Sequence, residues 1–214
     1  MVDATPRKTW TMEVRRWHII NSIIQARGYE NYIELGATGL ADNPGHNYNC
    51  VNALHKTSVD KKGCVNYRMT TDEFFKQLPI DVKYDIVFID ARHWKEYVDR
   101  DIANSLEHLV PGGTIVVHDC NPLDSWATVE TIAGGWNGDA WKSIVELRCT
   151  RNHLEIYTVD ADWGCAVIQR GWQEMYEEAP LHKCLTWYYF IHHRVELLNL
   201  ISFDEFQRRI NATV

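Results

Sequence analysis

The sequence predicts an α/β fold built on a mostly parallel sheet, from three observations. Strand-sized apolar runs alternate with segments of helical period, the pattern of β-α-β units rather than of a sandwich or a bundle. Two of those runs, Tyr84 to Asp90 and Thr114 to Asp119, are apolar on both faces and end in a polar or acidic residue; strands covered on both sides read this way. Further on, Leu154 to Val159 and Cys165 to Gln169 are joined only by Asp160 to Gly164. A connection that short fits an antiparallel pair.

The elements follow in order. Val14, Trp17, Ile20, Ile23 and Ile24 form an apolar stripe at helical spacing, with Gly28 placed to end that helix. Tyr32 to Gly36 reads as a strand entering a turn, and residues 37–49 read as a loop because of Gly39 and Asn43-Pro44-Gly45. Lys56 to Asp60 reads as a second strand ending in a carboxylate, and Tyr67 to Thr70 as a third. Asp72 to Leu78 follows as a helical turn with Thr71 or Asp72 near its N-cap. Tyr97 to Leu109 is predicted as a helix stopped by Pro111-Gly112-Gly113, and Trp141 to Leu147 as another. The tail, Gln173 to Ile210, reads as helices. With no repeat or linker, residues 1–214 are expected to form one domain: an N-terminal helix (1–29), an α/β core (30–170) and a helical tail (171–214).

Composition excludes several classes. A chain of 214 residues buries roughly 70% of its unfolded surface and needs no staples to hold a core. The 22 basic residues against 29 acidic ones give a net charge of −7. A phosphate-binding stripe is absent, since Arg15-Arg16 is too short to be one, so nucleic acid is not the expected partner. No apolar run approaches the ~20 residues of a membrane helix. The N-terminus lacks an apolar leader core, which makes a cytoplasmic location the expectation. The six cysteines include no C-x-x-C pair, which argues against a zinc knuckle and for free thiols.

In parallel sheets, ligands bind beyond the carboxyl ends of the strands. The polar residues sit there: Glu34 and Gly36, Asp60, Asp90, and His118-Asp119. Glu34-Leu35-Gly36-Ala37-Thr38-Gly39 puts glycines after the first strand, where backbone can approach a ligand. Asp60 follows more than 20 residues later, where a carboxylate can accept two ribose hydroxyls. Together they favour an adenosine-type nucleoside.

On these residues the chain resembles class I S-adenosylmethionine-dependent methyltransferases, most closely the small O-methyltransferases related to catechol O-methyltransferase. Glu34 to Ala37 resembles the family's first motif, Asp60 its ribose-binding acid, and Met69-Thr70 the loop that frames adenine. Tyr84 to Asp90 followed by His93 resembles its fourth strand, and Leu109-Val110-Pro111-Gly112-Gly113 through His118-Asp119 its fifth. The resemblance covers about residues 30–170. It implies a Rossmann-like fold of seven strands, mostly parallel with the last antiparallel. It also implies S-adenosylmethionine held by Glu34, Gly36, Ala37, Asp60, Met69, Thr70 and Asp90. The expected reaction is O-methylation of a small molecule or sugar.

Two routes activate the acceptor. In one, Asp90 and Asp119 hold a divalent metal, Mg2+ by family analogy. The family's third ligand, an asparagine, is replaced here by Cys120, a poor magnesium ligand, with Asn121 one residue late and His118 adjacent. In the other, His93 or His118 acts as general base. Lys95 lies out of register with the family's lysine. Trp126, Trp136 and Trp141, in a Gly- and Trp-rich insertion, are candidates to wall the acceptor pocket, with Trp141 favoured as core. The tail's aromatic band around Trp187 to Ile191 is expected to dock on the sheet or to join two copies of the chain. Two other functions are weighed: a cofactor-binding module without turnover, and a nicotinamide-dependent oxidoreductase, which would want G-x-G-x-x-G.

Overall fold

The two-sided apolar runs become the central strands. In the computed structural model, which describes residues 14–37, 46–129 and 136–212, the chain runs α1 (Arg16–Arg27), β1 (Asn31–Leu35), α2 (Asn47–Cys50), β2 (His55–Val59), α3 (Thr71–Gln77) and β3 (Tyr84–Ile89). It continues as α4 (Lys95–Glu107), β4 (Leu109–Val117), a 3-10 turn (Trp126–Thr128), α5 (Ala140–Thr150), β5 (Leu154–Val159) and β6 (Cys165–Arg170). The tail forms α6 (Leu181–Cys184), α7 (Trp187–Leu197), β7 (Leu200–Ile201) and α8 (Phe203–Ala212). The strands form one seven-stranded sheet in the order β2-β1-β3-β4-β6-β5-β7. β6 is antiparallel to both β4 and β5, and the remaining pairings are parallel. The expected antiparallel last strand of the core is therefore β6.

Strand alternation divides the core between the two faces. Ile33, Leu35, Val87, Ile89, Ile115 and Val117 face a cluster built with Phe74, Ile102, Trp141, Ile144 and Phe190 of α3, α4, α5 and α7. Tyr32, Ile86, Phe88 and Val116 face the other cluster, built with Ile20, Ile23, Phe206 and Ile210 of α1 and α8. Most of the tail's aromatic band is thus used within the chain: Phe190 is fully buried and Tyr189 nearly so, while Tyr188 is exposed.

Three local expectations are corrected. Tyr67 to Thr70 is not a strand; a single bridge joins Tyr67 to Val59. Arg68 and Thr70 are polar, and the seventh strand is instead β7 from the tail, paired with β5. The N-cap of α3 is Thr70 rather than Thr71 or Asp72; its Oγ1 accepts from Glu73 N at 3.1 Å, and Glu73 Oε2 accepts from Thr70 N at 2.9 Å, a reciprocal capping box. The third concerns Pro111-Gly112-Gly113, which lies inside β4 rather than after a helix. α4 ends at Glu107, and the register slips where Leu109 pairs with Tyr84 and Thr114 with Ile86, a bulge that takes up the extra residues.

Candidate active site

Sheet register brings the strand-end residues together. Leu35 pairs with Ile89, and Ile89 with Val117, so Gly36, Asp90 and His118 lie one step beyond three adjacent strands. Backbone bonds extend the ladder past the strand ends: Asp90 N donates to Leu35 O at 2.8 Å, and His118 N donates to Ile89 O at 3.0 Å. His93 follows in the loop leading to α4. Two glycines hold this edge closed. Gly36 has φ +95, and a Cβ there would overlap the Asp90 carbonyl; Gly138 has φ +63, and a Cβ there would overlap the His93 carbonyl. Side-chain-bearing residues rarely adopt such angles.

Asp90, His93, His118 and Asp119 form one cluster. His118 Nδ1 lies 3.3 Å from Asp90 Oδ1 and 3.3 Å from Asp119 Oδ1. His93 Nε2 lies 3.3 Å from Asp90 Oδ1, and its Nδ1 lies 3.1 Å from Asp119 Oδ2. Asp119 sits at φ +61, a left-handed conformation that an Asp tolerates at a cost of about 1 kcal/mol or more. Its carboxylate accepts from Asn137 Nδ2.

Three groups in this cluster were not singled out from sequence. Arg16, at the start of α1, donates from NH1 to Asp90 Oδ2 at 2.5 Å and from Nε to Asp162 Oδ2 at 2.9 Å. Asp162, in the turn between β5 and β6, also accepts from Arg16 N at 2.9 Å, and its carbonyl accepts from His118 Nε2 at 2.6 Å. Asn137 comes from the insertion. Arg16 had a signal only as half of a basic pair, and Asp162 only as a turn residue.

The charges shape one another. Burial opposes charge on His118, but Asp119 and Asp90 outweigh it and push the ring up to about 10. Burial likewise opposes charge on His93, yet contact with Asp90 and Asp119 raises it. Burial would raise Asp90, but His118, His93 and Arg16 hold it well below the carboxylate range. Asp162 is lowered in the same way, against its burial, by Arg16 and His118. Three acidic side chains thus face two imidazoles and a guanidinium.

The remaining predicted residues are placed as follows. Gly36 N donates to Val59 O at 2.8 Å, so the first turn lies directly beside Asp60. Asp60 is half-buried and accepts from Lys62 N at 2.7 Å through Oδ1. Ala37 is buried beside it; Thr38 and Gly39 lie outside the described residues. Glu34 is buried and accepts from the Tyr32 hydroxyl and from Asn47 Nδ2; burial pushes its carboxyl up to about 7. Met69 packs on the core, and Thr70 serves as a helix cap. Cys120 Sγ is buried against the carbonyls of Val117 and His118, and Asn121 Nδ2 is turned to Asp160. Neither completes the cluster; His118 does. Lys95 pairs with Asp99 and Glu146, away from the site. Trp141 is core, at 1% exposure, whereas Trp126 is exposed at 78%. No disulfide joins any of the six cysteines, all of them among the described residues, and no described helix is long and apolar enough to cross a membrane.

Residues 26–120 match the family model described as a methyltransferase domain. The fold is the one seen in solved structures described as O-methyltransferases. A Staphylococcus aureus protein described as a candidate caffeoyl-CoA O-methyltransferase superposes at TM-score 0.54 and 15% identity, over 74% of this chain and 85% of its own. A candidate O-methyltransferase from Klebsiella pneumoniae gives 0.51 and 13%, over 75% and 83%. A cofactor-bound protein from MTB gives 0.50 and 13%, over 76% and 84%. At such identities the likeness establishes the fold. No curated protein matches the sequence.

Proposed function

We propose that the chain transfers a methyl group from S-adenosylmethionine to an oxygen of a small molecule or sugar. The observation that carries this reading is the convergence of Asp90, His93, His118 and Asp119 one step past β3 and β4, beside the Gly36 turn. When bound, S-adenosylmethionine supplies a methyl group on a sulfonium, already a good leaving group. The acceptor oxygen forms the new O–C bond, the S–C bond breaks with its electron pair passing to sulfur, and the hydroxyl proton goes to a base.

This chain's residues supply the rest. Asp60 stands beside the first turn, where a carboxylate accepts ribose hydroxyls. Gly36 and Ala37 shape that turn, Glu34 lies buried two residues before it, and Met69-Thr70 is assigned to frame adenine. Asp90 and Asp119 would hold a divalent cation that lowers the acceptor's pKa. Magnesium fits this centre poorly, because two of the four groups facing it are imidazoles rather than oxygens. His93, partly open to solvent, is the better placed base. It can take a proton only in its neutral form, whereas its contacts with Asp90 and Asp119 favour the protonated one. Held in line, reactants gain up to ~7–11 kcal/mol from orientation.

One observation favours a second reading, a cofactor-binding module without turnover: Arg16 already occupies Asp90 and Asp162. Calorimetric titration with S-adenosylhomocysteine, followed by a methyl-acceptor panel, separates the readings. Binding with turnover supports transfer, binding without turnover on any acceptor supports the module, and no binding removes both.

A further inference from the structure

We infer that Arg16 is the built-in cation of this edge: its guanidinium stands on Asp90 where the resemblance implies a divalent ion, and it takes that ion's place. The inference rests on the methyltransferase reading for what the charge does, and it fills the metal route of acceptor activation with a group of the chain itself.

Occupancy is the first support. A divalent cation needs carboxylate oxygens whose lone pairs face it. Here every carboxylate oxygen of Asp90 and Asp119 already faces a nitrogen. Asp90 Oδ2 accepts from Arg16 NH1 at 2.5 Å. Asp90 Oδ1 lies 3.3 Å from His93 Nε2 and 3.3 Å from His118 Nδ1. Asp119 Oδ1 accepts from Asn137 Nδ2 and lies 3.3 Å from His118 Nδ1, while its Oδ2 lies 3.1 Å from His93 Nδ1. Of these partners only the guanidinium is permanently charged. An incoming divalent ion would have to settle beside that charge, and the two repel.

Anchoring is the second support. Arg16 Nε and Arg16 N both donate to Asp162 Oδ2, each at 2.9 Å. The Asp162 side chain is 2% exposed, and its carbonyl is tied to His118 Nε2. Main chain and side chain of Arg16 are therefore held by one buried carboxylate while NH1 reaches a second. A charge fixed before reaction needs no reorganisation when charge develops on the substrate. Arg16 NH2 has no hydrogen-bond partner among the described residues, and the side chain keeps 23% of its surface open. That leaves N–H groups free to meet an acceptor oxygen as it loses its proton. The guanidinium itself moves no proton, because it does not deprotonate.

Removing the charge exposes what it covers. Asp90, His93 and Asp119 offer ligand atoms that all lie within 4.8 Å of one another, so a chain without the guanidinium should gain an affinity for cations that the parent lacks. The experiment titrates metal-free full-length protein with Mn2+, a paramagnetic stand-in for Mg2+, reading the spin-resonance signal of the free ion. Expected are no Mn2+ held by the parent and one per chain held by Arg16→Gln, a gain of about 10-fold or more in affinity. Arg16→Lys, which keeps a charge there, should stay near the parent, a contrast that a merely structural role would not produce. Arg16→Gln combined with Asp90→Asn should lose the gain, which locates the ion. Circular dichroism reports folding; where Arg16→Gln does not fold, Asp162→Asn, which loosens the anchor but keeps Arg16, should show a smaller gain. Stoichiometric Mn2+ binding by the parent overturns the inference whether or not any variant folds, and so does a folded Arg16→Gln that binds Mn2+ no better than the parent. S-adenosylhomocysteine binding on the same samples separates the two readings. A parent that binds both it and Mn2+ fails this inference alone; a parent that binds neither, beside an Arg16→Gln variant that gains Mn2+, fails the methyltransferase reading alone.

Discussion

Gly36 lies against Asp90 with no room for a methyl group between them: a Cβ on Gly36 would enter the Asp90 carbonyl and touch Ala91 Cα. Because the obstacle is backbone, no rotamer change relieves it. Gly36→Ala should cost at least about 2 kcal/mol of stability, from the unfavourable φ of +95 and the clash together. Gly28→Ala is the control. Its φ is +65, but a Cβ there meets nothing within 4 Å, so only the backbone term of about 1 kcal/mol applies. Urea unfolding of both variants checks the difference; equal losses would show that the close approach contributes nothing.

Arg16 ties α1 to two strand ends at once, through Asp90 and Asp162. Asp162 is only 2% exposed, so its charge has little water to fall back on. Arg16→Met should destabilise the fold by about 3 kcal/mol, near the low end for breaking a buried pair, since Arg16 still touches solvent. Arg16→Lys keeps the charge but cannot reach both carboxylates with a planar fork, and should recover only part of the loss. If denaturant midpoints put Arg16→Met within about 0.5 kcal/mol of the parent, the bridge carries no stability.

The same cluster shows what the sequence reveals and what it hides. Asp90 and His118-Asp119 were legible because two-sided apolar runs mark central parallel strands, and polar residues at their ends mark the ligand edge. Arg16 and Asp162 were not, because 146 residues separate them. A helical stripe says which face of α1 is buried, not where its first turn points. Asn137 was hidden among tryptophans whose bulk drew the functional reading. β7 escaped because two residues, Leu200-Ile201, are too few to show a period.

Glu34 makes stability depend on pH in a defined window. Burial raises its carboxyl from 4.5 to about 7 in the folded chain. Below 4.5 both states hold the proton and the group contributes nothing. Between 4.5 and about 7 the unfolded chain releases its proton first, so stability falls as pH rises, and above that window the loss is constant. The loss amounts to about 3 kcal/mol. Glu34→Gln removes it and can still accept from Tyr32 and Asn47. The variant should match the parent near about pH 4 and exceed it by about 2–3 kcal/mol near about pH 8. Comparing variant with parent at each pH cancels every other titrating group; a constant difference across the range would contradict the assignment.

Trp126 and Trp141 divide the insertion between an exposed position and the core. Trp141 packs against Phe190 with tilted rings whose centroids are 4.0 Å apart, and is 1% exposed. Trp141→Ala should therefore cost about 3–5 kcal/mol in unfolding experiments, with losses in any assay following from the weakened fold. Trp126 is 78% exposed and starts the 3-10 turn, so Trp126→Ala should leave stability within about 0.5 kcal/mol. If Trp126 lines the acceptor pocket, its removal raises the acceptor KM and leaves S-adenosylhomocysteine affinity untouched, a separation that general loosening of the fold cannot produce. Unchanged KM values across a set of flat and sugar-like acceptors would remove Trp126 from the pocket and leave acceptor contact to Trp136, whose ring lies 5.1 Å from that of His93.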